Sequence, residues 1–232
     1  MIEILYTDDH FYIVNKPSGI PVHLSKMTSD DTSLLCLLSA QTGEKLYPVH
    51  RLDRPTSGLN LFARSASACG ALGKLFQNKT VDKTYLALVR GWPPEKGEIS
   101  SQLYKNPESK TKKVDALTTY ERIATYTIPY SDGRFETSRI ALVRVSPQTG
   151  RTHQIRRHFA GISYPLIGDT IYGKGLQNRL FRDKFDSHRL LLAAVELAFT
   201  HPYTNEKLTV TAPLSAQFQD VIYQLQALNL QQ

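Results

Sequence analysis

One apolar strand near the middle of the sequence constrains the fold most. Residues 83–89 read Lys-Thr-Tyr-Leu-Ala-Leu-Val, and a Gly-Trp-Pro-Pro turn follows them. Alternate residues of a strand point to opposite faces, so Tyr85, Ala87 and Val89 share one face while two leucines share the other. Because both faces are apolar, we expect this strand to lie inside a sheet that is covered on both sides.

The rest of the pattern mixes strands and helices without regular strand–helix–strand alternation, which favours an α+β fold. Period-two apolar runs predict strands, and helical spacing behind a capping residue predicts helices. Residues 105–113 are interpreted as a mobile basic loop and 174–187 as a long polar connection. The predicted strands are 2–6, 11–15, 45–49, 59–63, 115–130, 137–146, 188–199 and 208–211, and the predicted helices are 32–41, 65–78, 151–159 and 214–228.

Composition narrows the classes of function. The 232 residues are 41% hydrophobic, which supports a real core, and their net charge of +7 suggests a polyanionic partner, nucleic acid first and an anionic membrane second. Two cysteines make neither a disulfide framework nor a zinc quartet, and a reducing cytoplasm fits them. We find no signal peptide, membrane-length apolar run, Walker loop or dinucleotide fingerprint.

The segment His-Arg-Leu-Asp-Arg-Pro-Thr-Ser-Gly, residues 50–58, places one carboxylate, Asp53, between Arg51 and Arg54. Strand-like residues flank it on both sides, so the acid is expected in a short loop held by two strands, a suitable place for a reactive group. Neighbouring positive charge keeps a carboxylate ionised and attracts a polyanion. From residue types alone, the alternative is a surface aspartate paired with arginine.

Two further segments are rich in positive charge. Residues 105–113 hold four lysines, including Lys112 and Lys113, against one acid, and an inert solvated loop is the alternative to a binding loop. Residues 134–158 hold six arginines against one acid. Arginine suits two-pronged contacts with phosphate or carboxylate.

Five segments of the sequence, taken together, resemble motifs of the RluA-type pseudouridine synthases. Residues 50–58 look like the catalytic motif of that family. Four other segments of the sequence match the family in the same order along the chain. The resemblance extends over roughly residues 2–212. The four segments are the Asn-Lys-Pro-Ser-Gly loop at 15–19, the tyrosine strand at 83–85, the arginine motif at 150–156, and Gly168-Asp169 with Tyr172-Gly173.

The resemblance implies an architecture. It implies one pseudouridine synthase catalytic domain over residues 1–232, with a mixed, largely antiparallel sheet in two halves, flanking helices and a central cleft. No separate N-terminal RNA-binding domain is expected. It also implies that no cofactor or metal is used, and we expect a cytoplasmic monomer that does not associate with membranes.

The resemblance also implies roles for particular residues. Asp53 would act as the nucleophile at uracil C6 or ribose C1′, or promote elimination. Arg156 would pair with Asp53 and keep it ionised, and Tyr85 would stack on the target base and move a proton. Arg51 would fill the gap left by a flipped uridine. RNA contacts are further expected from His50, Arg54, Lys16, Arg151, Lys112 and Lys113.

Three of these roles have a plainer alternative. The alternative for Tyr85 is a core tyrosine of a central strand, that for Arg156 is a phosphate-binding surface arginine, and that for His50 is a structural residue. One position departs from the family: Ala193 stands where a histidine is usual, which removes a supporting hydrogen bond.

The best-matching subgroup modifies a tRNA uridine, uridine-65, where the T stem meets the acceptor stem. The features that indicate it are Arg54-Pro55, Arg157-His158 and Thr200-His201-Pro202. Ribosomal RNA is the alternative substrate, and a non-catalytic RNA-binding or RNA-folding protein is the alternative class. A glycoside hydrolase would need a second carboxylate across the sugar, and no partner acid is evident for Asp53.

Overall fold

The computed structural model describes residues 1–24, 32–105, 107, 112–131, 133 and 135–229. These residues form ten strands and five helices. They are β1 (Glu3–Thr7), β2 (Phe11–Lys16), α1 (Leu34–Thr42), β3 (Tyr47–Pro48), β4 (Ser57–Ala63), α2 (Ala66–Gln77), β5 (Asp82–Arg90), β6 (Lys96–Tyr104), β7 (Lys113–Ile128), β8 (Ser138–Pro147), α3 (Gln154–Gly161), α4 (Gly175–Phe185), β9 (Leu192–Thr200), β10 (Lys207–Thr211) and α5 (Ala216–Leu228).

The chain divides into two compact units. Unit 1 combines residues Met1–Lys83 with Ala193–Pro213, and unit 2 combines Thr84–Leu192 with Leu214–Gln232. No helix in the described part of the chain is both long and apolar enough to cross a bilayer.

Unit 1 is built on five strands in the order β1-β2-β4-β9-β10, with β3 added to the end of β4. All neighbours are antiparallel except β4 and β9, which run parallel through the pairs Ser57–Ala193 and Gly58–Ala194. Every residue of β4 is buried. The strand that follows the Asp53 loop is therefore the most enclosed strand of its unit, and it fixes one end of that loop.

Gly58 is where β4 and β9 approach most closely. Its φ is +104°, and a Cβ there would lie 2.0 Å from the carbonyl oxygen of Ala194. A side chain would therefore meet both backbone strain and a clash with a backbone atom that cannot move aside. Glycine is thus required at the last position of the motif, because any side chain there would collide with the backbone of β9.

We expect Gly58→Ala to destabilise the protein by at least about 3 kcal/mol, because the strain and the clash add. Gly70→Ala is the matched control: Gly70 lies in α2, and an added Cβ meets nothing within 4 Å. That change should stabilise by roughly 0.5–1 kcal/mol, since alanine is the better helix former. Urea unfolding of both variants checks the pair, and equal shifts of the same sign would contradict the steric account.

Unit 2 is an antiparallel sheet in the order β5-β8-β7-β6. Helix α3 packs on it through Ile155 and Phe159, which join the core of the unit. In β5, Ala87, Leu88 and Val89 are fully buried, so both faces of that strand are covered as predicted. The mixed, largely antiparallel α+β fold predicted from the sequence is confirmed.

Serine side chains cap three of the helices. Ser33, Ser65 and Ser215 each accept a hydrogen bond from the amide three residues on, at the starts of α1, α2 and α5. Helix α1 ends at Gly43 in the left-handed conformation. Of the three serines, only Ser65 was predicted as a cap, and the predicted helices 32–41 and 214–228 begin two residues before α1 and α5.

Two elements were missed. Residues 174–187 contain helix α4 and not a polar connection. The helix was missed because the face that it buries includes the amides Gln177 and Asn178, which interrupt the apolar helical period. Strand β6 was not predicted, because only Ile99 and Leu103 of its nine residues are buried at the end of the sheet. The predicted mobile loop 105–113 falls mostly outside the described residues.

A buried histidine in unit 2 makes stability depend on pH. His158 is 2% exposed, its Nδ1 lies 2.9 Å from the Thr118 hydroxyl, and its Nε2 has no hydrogen-bond partner among the residues that the structure describes. Burial, and then the charge of Arg157, lowers the pKa of His158 to about 4. The folded chain therefore resists a proton that the unfolded chain accepts below about pH 6.5.

We expect the free energy of unfolding to fall by about 1 kcal/mol per pH unit between pH 6 and 4.5 on account of this group. His158→Asn should flatten that slope, whereas His188→Asn, at a histidine whose side chain is 63% exposed, should not. Urea unfolding at pH 7 and pH 5 measures both. An unchanged slope in the first variant would show that His158 is not the responsible group.

Candidate active site

Asp53 lies in the short turn between β3 and β4. The amide of Thr56 donates to the carbonyl oxygen of Asp53 at 3.0 Å and closes the turn. The aspartate is partly exposed, whereas Thr56 and Ser57 after it are buried. A partly exposed acid on a turn anchored by a buried strand agrees with the location expected from the sequence.

The Asn-Lys-Pro-Ser-Gly loop is fastened to this turn by backbone and side-chain contacts. The Gly19 amide donates to the Arg54 carbonyl at 3.0 Å, and Arg54 Nε donates back to the Gly19 carbonyl at 2.8 Å. The Ser18 hydroxyl donates to the Pro55 carbonyl at 2.6 Å. The motifs at 15–19 and 50–58 therefore contact each other at Arg54 and Pro55, directly after Asp53.

Lys16 is the centre of this loop. Its ammonium is fully buried and donates to the carbonyls of Pro17 at 2.9 Å, Ile20 at 2.7 Å and Arg54 at 3.0 Å. This corrects the expectation that Lys16 contacts the RNA backbone, because its ammonium has no surface to offer a phosphate. A buried ammonium surrounded by carbonyl oxygens instead stabilises the conformation of the loop.

His50 also has a structural setting. Its Nε2 accepts a hydrogen bond from the Leu61 amide at 3.2 Å, and its ring stacks on Phe76 with centroids 4.6 Å apart. Burial, and then the nearby charge of Lys83, lowers the pKa of His50 to about 3. The imidazole is therefore neutral at physiological pH, and an RNA contact, which stays a prediction, would have to use its other nitrogen.

The two arginines that flank Asp53 are exposed. Arg51 Nη1 lies 3.3 Å from Nε2 of His23, a histidine whose pKa is lowered by burial and then by Arg51. Arg54 is tied to Gly19 as described, yet its side chain remains at the surface. The RNA contacts expected of both arginines stay predictions.

Tyr85 lies near the start of β5, opposite Val145 of β8. It is partly buried and packs against the hydrophobic core of unit 2. The core of unit 2 therefore supports one side of the Tyr85 ring. Its stacking on a base remains a proposal.

Arg156 lies in α3, and only 2% of the residue is exposed. Burial rules out the alternative of a phosphate-binding surface arginine. Its Nε and Nη2 donate to the two carboxylate oxygens of Asp169 at 2.8 and 2.9 Å, and its Cζ lies 5.3 Å from the centre of the Tyr172 ring. Within unit 2, the arginine motif and the Gly-Asp/Tyr-Gly motif therefore meet.

Asp169 was quoted from the sequence only as part of a motif, and its role was missed. Burial opposes ionisation of this carboxyl, but hydrogen bonds from Arg156 and from the Tyr172 and Ile171 amides hold its pKa below the ordinary value. The aspartate is therefore ionised beside a buried guanidinium. The only sequence signal was its distance from the arginine motif, which does not identify a contact.

The remaining predicted RNA ligands in unit 2 lie around the end of the β6–β7 hairpin. Arg151 Nε donates to the Asp115 carbonyl at 3.1 Å, and Lys113 Nζ lies 5.3 Å from the centre of the Tyr104 ring. Lys112 and Lys113 are both exposed. Arg157, not predicted as a ligand, joins this group by donating to the Tyr104 carbonyl at 3.0 Å.

No metal centre is evident in the part of the chain that the structure describes, where no three His, Cys, Asp or Glu side chains are grouped as ligands. The two cysteines, Cys36 and Cys69, are free thiols. Of the residues predicted to take part in the chemistry, Asp53 lies in unit 1, whereas Tyr85 and the buried Arg156 lie in unit 2.

Comparison with known proteins agrees with this set of motifs. Residues 10–161 match the profile of the RNA pseudouridylate synthase family. The chain is 42% identical over 229 residues to tRNA pseudouridine synthase C of Vibrio parahaemolyticus, covering 95% of this chain and 93% of the relative. It is 40% identical over 230 residues to the protein of the same name from Vibrio vulnificus, covering 95% and 94%.

A solved structure, human RNA pseudouridylate synthase domain containing 1, superposes with a TM-score of 0.73 at 25% identity and covers 92% of this chain and 84% of its own. The fold and its ordered motifs are those of an isomerase that acts on RNA. The chain belongs to the RNA pseudouridylate synthase family, which confirms the family indicated by the motifs.

Proposed function

We propose that the protein converts a uridine of tRNA, uridine-65, to pseudouridine, with Asp53 as the group that starts the reaction. The observation that carries the choice of substrate is the 42% identity to a tRNA pseudouridine synthase C across 95% of this chain. Ribosomal RNA remains the alternative substrate, and a non-catalytic RNA-binding protein the alternative class.

The reaction itself is an isomerisation. The bond between ribose C1′ and uracil N1 breaks, the base turns, and a bond forms between C1′ and C5. The hydrogen leaves C5 as a proton and N1 gains one, so the substrate and product have the same composition. An ionised carboxylate starts each of the three routes: attack at C6, attack at C1′, or elimination.

Two groups assist the carboxylate in this proposal. Arg156 keeps Asp53 ionised and orients it, since an opposite charge favours the charged form of an acid. Tyr85 stacks on the target base and transfers a proton, which suits an aromatic ring with a hydroxyl at its tip. The base reaches them only after it leaves the helical stack, and Arg51 fills the gap.

The direct test of the substrate is to map pseudouridine after reaction. A tRNA transcript is incubated with the purified protein, and pseudouridine is located by chemical probing and primer extension. We expect one new stop, one nucleotide 3′ of position 65, and none in a transcript with cytidine at position 65. Modification of ribosomal RNA without modification of tRNA would replace the substrate, and modification of neither would favour the non-catalytic alternative.

The basic hairpin end supplies a separate prediction about affinity. Lys112→Ala combined with Lys113→Ala should weaken tRNA binding mainly at low salt, because lysine–phosphate contacts act by counterion release. We expect the slope of log K against log salt concentration to become shallower by about 1.5. Filter binding between 50 and 300 mM salt measures it. Equal affinity of this variant and wild type at every salt concentration would remove the hairpin from the RNA footprint.

A further inference from the structure

We infer that Asp169 is a positioning residue for the reaction: it fixes the direction in which Arg156 presents its guanidinium. This inference rests on the proposed role of Arg156. It assigns a function to the Gly-Asp/Tyr-Gly loop, which contains no residue of the proposed chemistry.

The contact between Arg156 and Asp169 is bidentate. Two nitrogens of a planar group donate to two oxygens of another planar group, at 2.8 and 2.9 Å. The side chains are only 2% and 1% exposed, so water does not compete for the donors. A guanidinium held at Nε and Nη2 presents Nη1 in a single direction.

The backbone in turn holds Asp169. Its Oδ1 accepts from the amides of Ile171 at 2.9 Å and Tyr172 at 3.0 Å. Asn178 of α4 donates to the Asp169 carbonyl at 2.8 Å and accepts from the Gly168 amide at 2.9 Å. The carboxylate is therefore a fixed reference point, and the flexible arginine adopts the orientation that the carboxylate sets.

Two glycines make this loop possible. A Cβ on Gly168 would lie 1.9 Å from the Arg189 carbonyl oxygen, and a Cβ on Gly173 would lie 2.1 Å from the Asp169 carbonyl oxygen. The chain thus packs more tightly here than side chains would allow. Such close packing limits the freedom of the carboxylate further.

Tyr172 covers the guanidinium from the side. Its ring centre lies 5.3 Å from Arg156 Cζ, and its hydroxyl lies 3.0 Å from Nδ1 of His153, the left-handed residue before α3. The same loop therefore restrains both the arginine and the start of its helix. The arginine is held by an ion pair on one side and an aromatic ring on another.

Stability alone does not account for such a pair. Removing two charges from water is costly, and apolar residues of similar volume often replace a buried ion pair without loss of stability. A planar pair on a rigid loop instead provides a defined orientation. Orientation is what a group needs if it is to hold a reacting carboxylate in place, where an error of about 1 Å can cost about 100-fold in rate.

The test is a double-mutant cycle at saturating tRNA labelled with tritium at uracil C5. Asp169→Asn places an amide N–H against an arginine N–H and removes the charge. We expect its single-turnover rate of tritium release to fall at least about tenfold, with the Kd for tRNA within about threefold of wild type. Because Arg156→Lys already loses the planar fork, Asp169→Asn should cost nothing more in that background.

A merely structural role predicts something different. It would lower the melting temperature of Asp169→Asn but leave the rate of the folded protein within about threefold of wild type. The rate factors of Asp169→Asn and Arg156→Lys would then multiply in the double variant. Either of these results overturns the inference. If Asp169→Asn does not fold, Asp169→Glu keeps the charge and moves the oxygens by one methylene, and a wild-type rate there also overturns it.

Failure of the proposed function is distinguishable from failure of this inference. A wild-type protein that releases no tritium from tRNA rejects the proposed function. An active wild type whose rate depends on Asp53, together with a fully active Asp169→Asn variant, rejects only the positioning role.

Discussion

Asp53→Asn should abolish tritium release from C5-labelled tRNA while tRNA binding persists. The amide has the same shape as the carboxylate but no negative charge, so it can neither attack carbon nor promote elimination. We expect a loss of at least about 10⁴-fold in single-turnover rate, as for other enzymes that lose a nucleophile, and a Kd within about threefold of wild type.

The matched control is Asp183→Asn, which makes the same chemical change at an exposed aspartate of α4. It should release tritium at the wild-type rate. If Asp53→Asn retained wild-type activity, the nucleophile would have to be sought elsewhere. If it lost binding together with activity, the residue would belong to the RNA contacts instead.

Lys16→Met should lower stability and activity together. The variant removes an ammonium that three carbonyl oxygens share, so those oxygens lose a charged donor in a place without water. We expect destabilisation of about 3 kcal/mol, which lowers the melting temperature by roughly 6–12 °C in a chain of this size. The rate should also fall, since the fastening of the Asp53 turn is lost.

Lys207→Met is the control for this change, because Lys207 is exposed in β10 of the same unit. It should alter neither melting temperature nor rate. Melting by circular dichroism and tritium release on the same samples separate the two effects. A Lys16→Met protein as stable as wild type would show that the loop is held by its other contacts.

Much of the fold could be predicted because its signals are local. The capping serine at 65 acts within one helical turn, and the alternation in residues 83–89 follows from the geometry of a single strand. The turn that carries Asp53 was also predictable, because strand residues flank it on both sides. The family followed from several motifs in order, none of which was sufficient alone.

What could not be predicted depends on contacts between distant segments. From the sequence, Lys16 was expected to be a surface cation. One of the carbonyl oxygens that accept from its buried ammonium belongs to Arg54, 38 residues away, and sequence spacing does not indicate that contact. Asp169 is 13 residues from Arg156, and sequence spacing gives no indication of a bidentate pair. Helix α4 was missed for a related reason: Asn178 is buried because it bonds the Gly168–Asp169 loop, so a polar residue occupies a core position.

His50 shows the same limit at the motif itself. From the sequence, a histidine beside two arginines was equally a phosphate ligand or a structural residue. The structure gives it Leu61 and Phe76 as neighbours in its own unit. Neither neighbour is adjacent in sequence, so residue types alone could not separate the alternatives.

The most direct measurement of the central claim is the stoichiometry of tritium release by the wild-type protein. With excess enzyme and a tRNA transcript labelled at uracil C5, we predict release of one equivalent of tritium per tRNA at an unchanged RNA mass. A transcript with cytidine in place of uridine-65 should release none. Tight binding of the tRNA without any release of tritium would contradict the account.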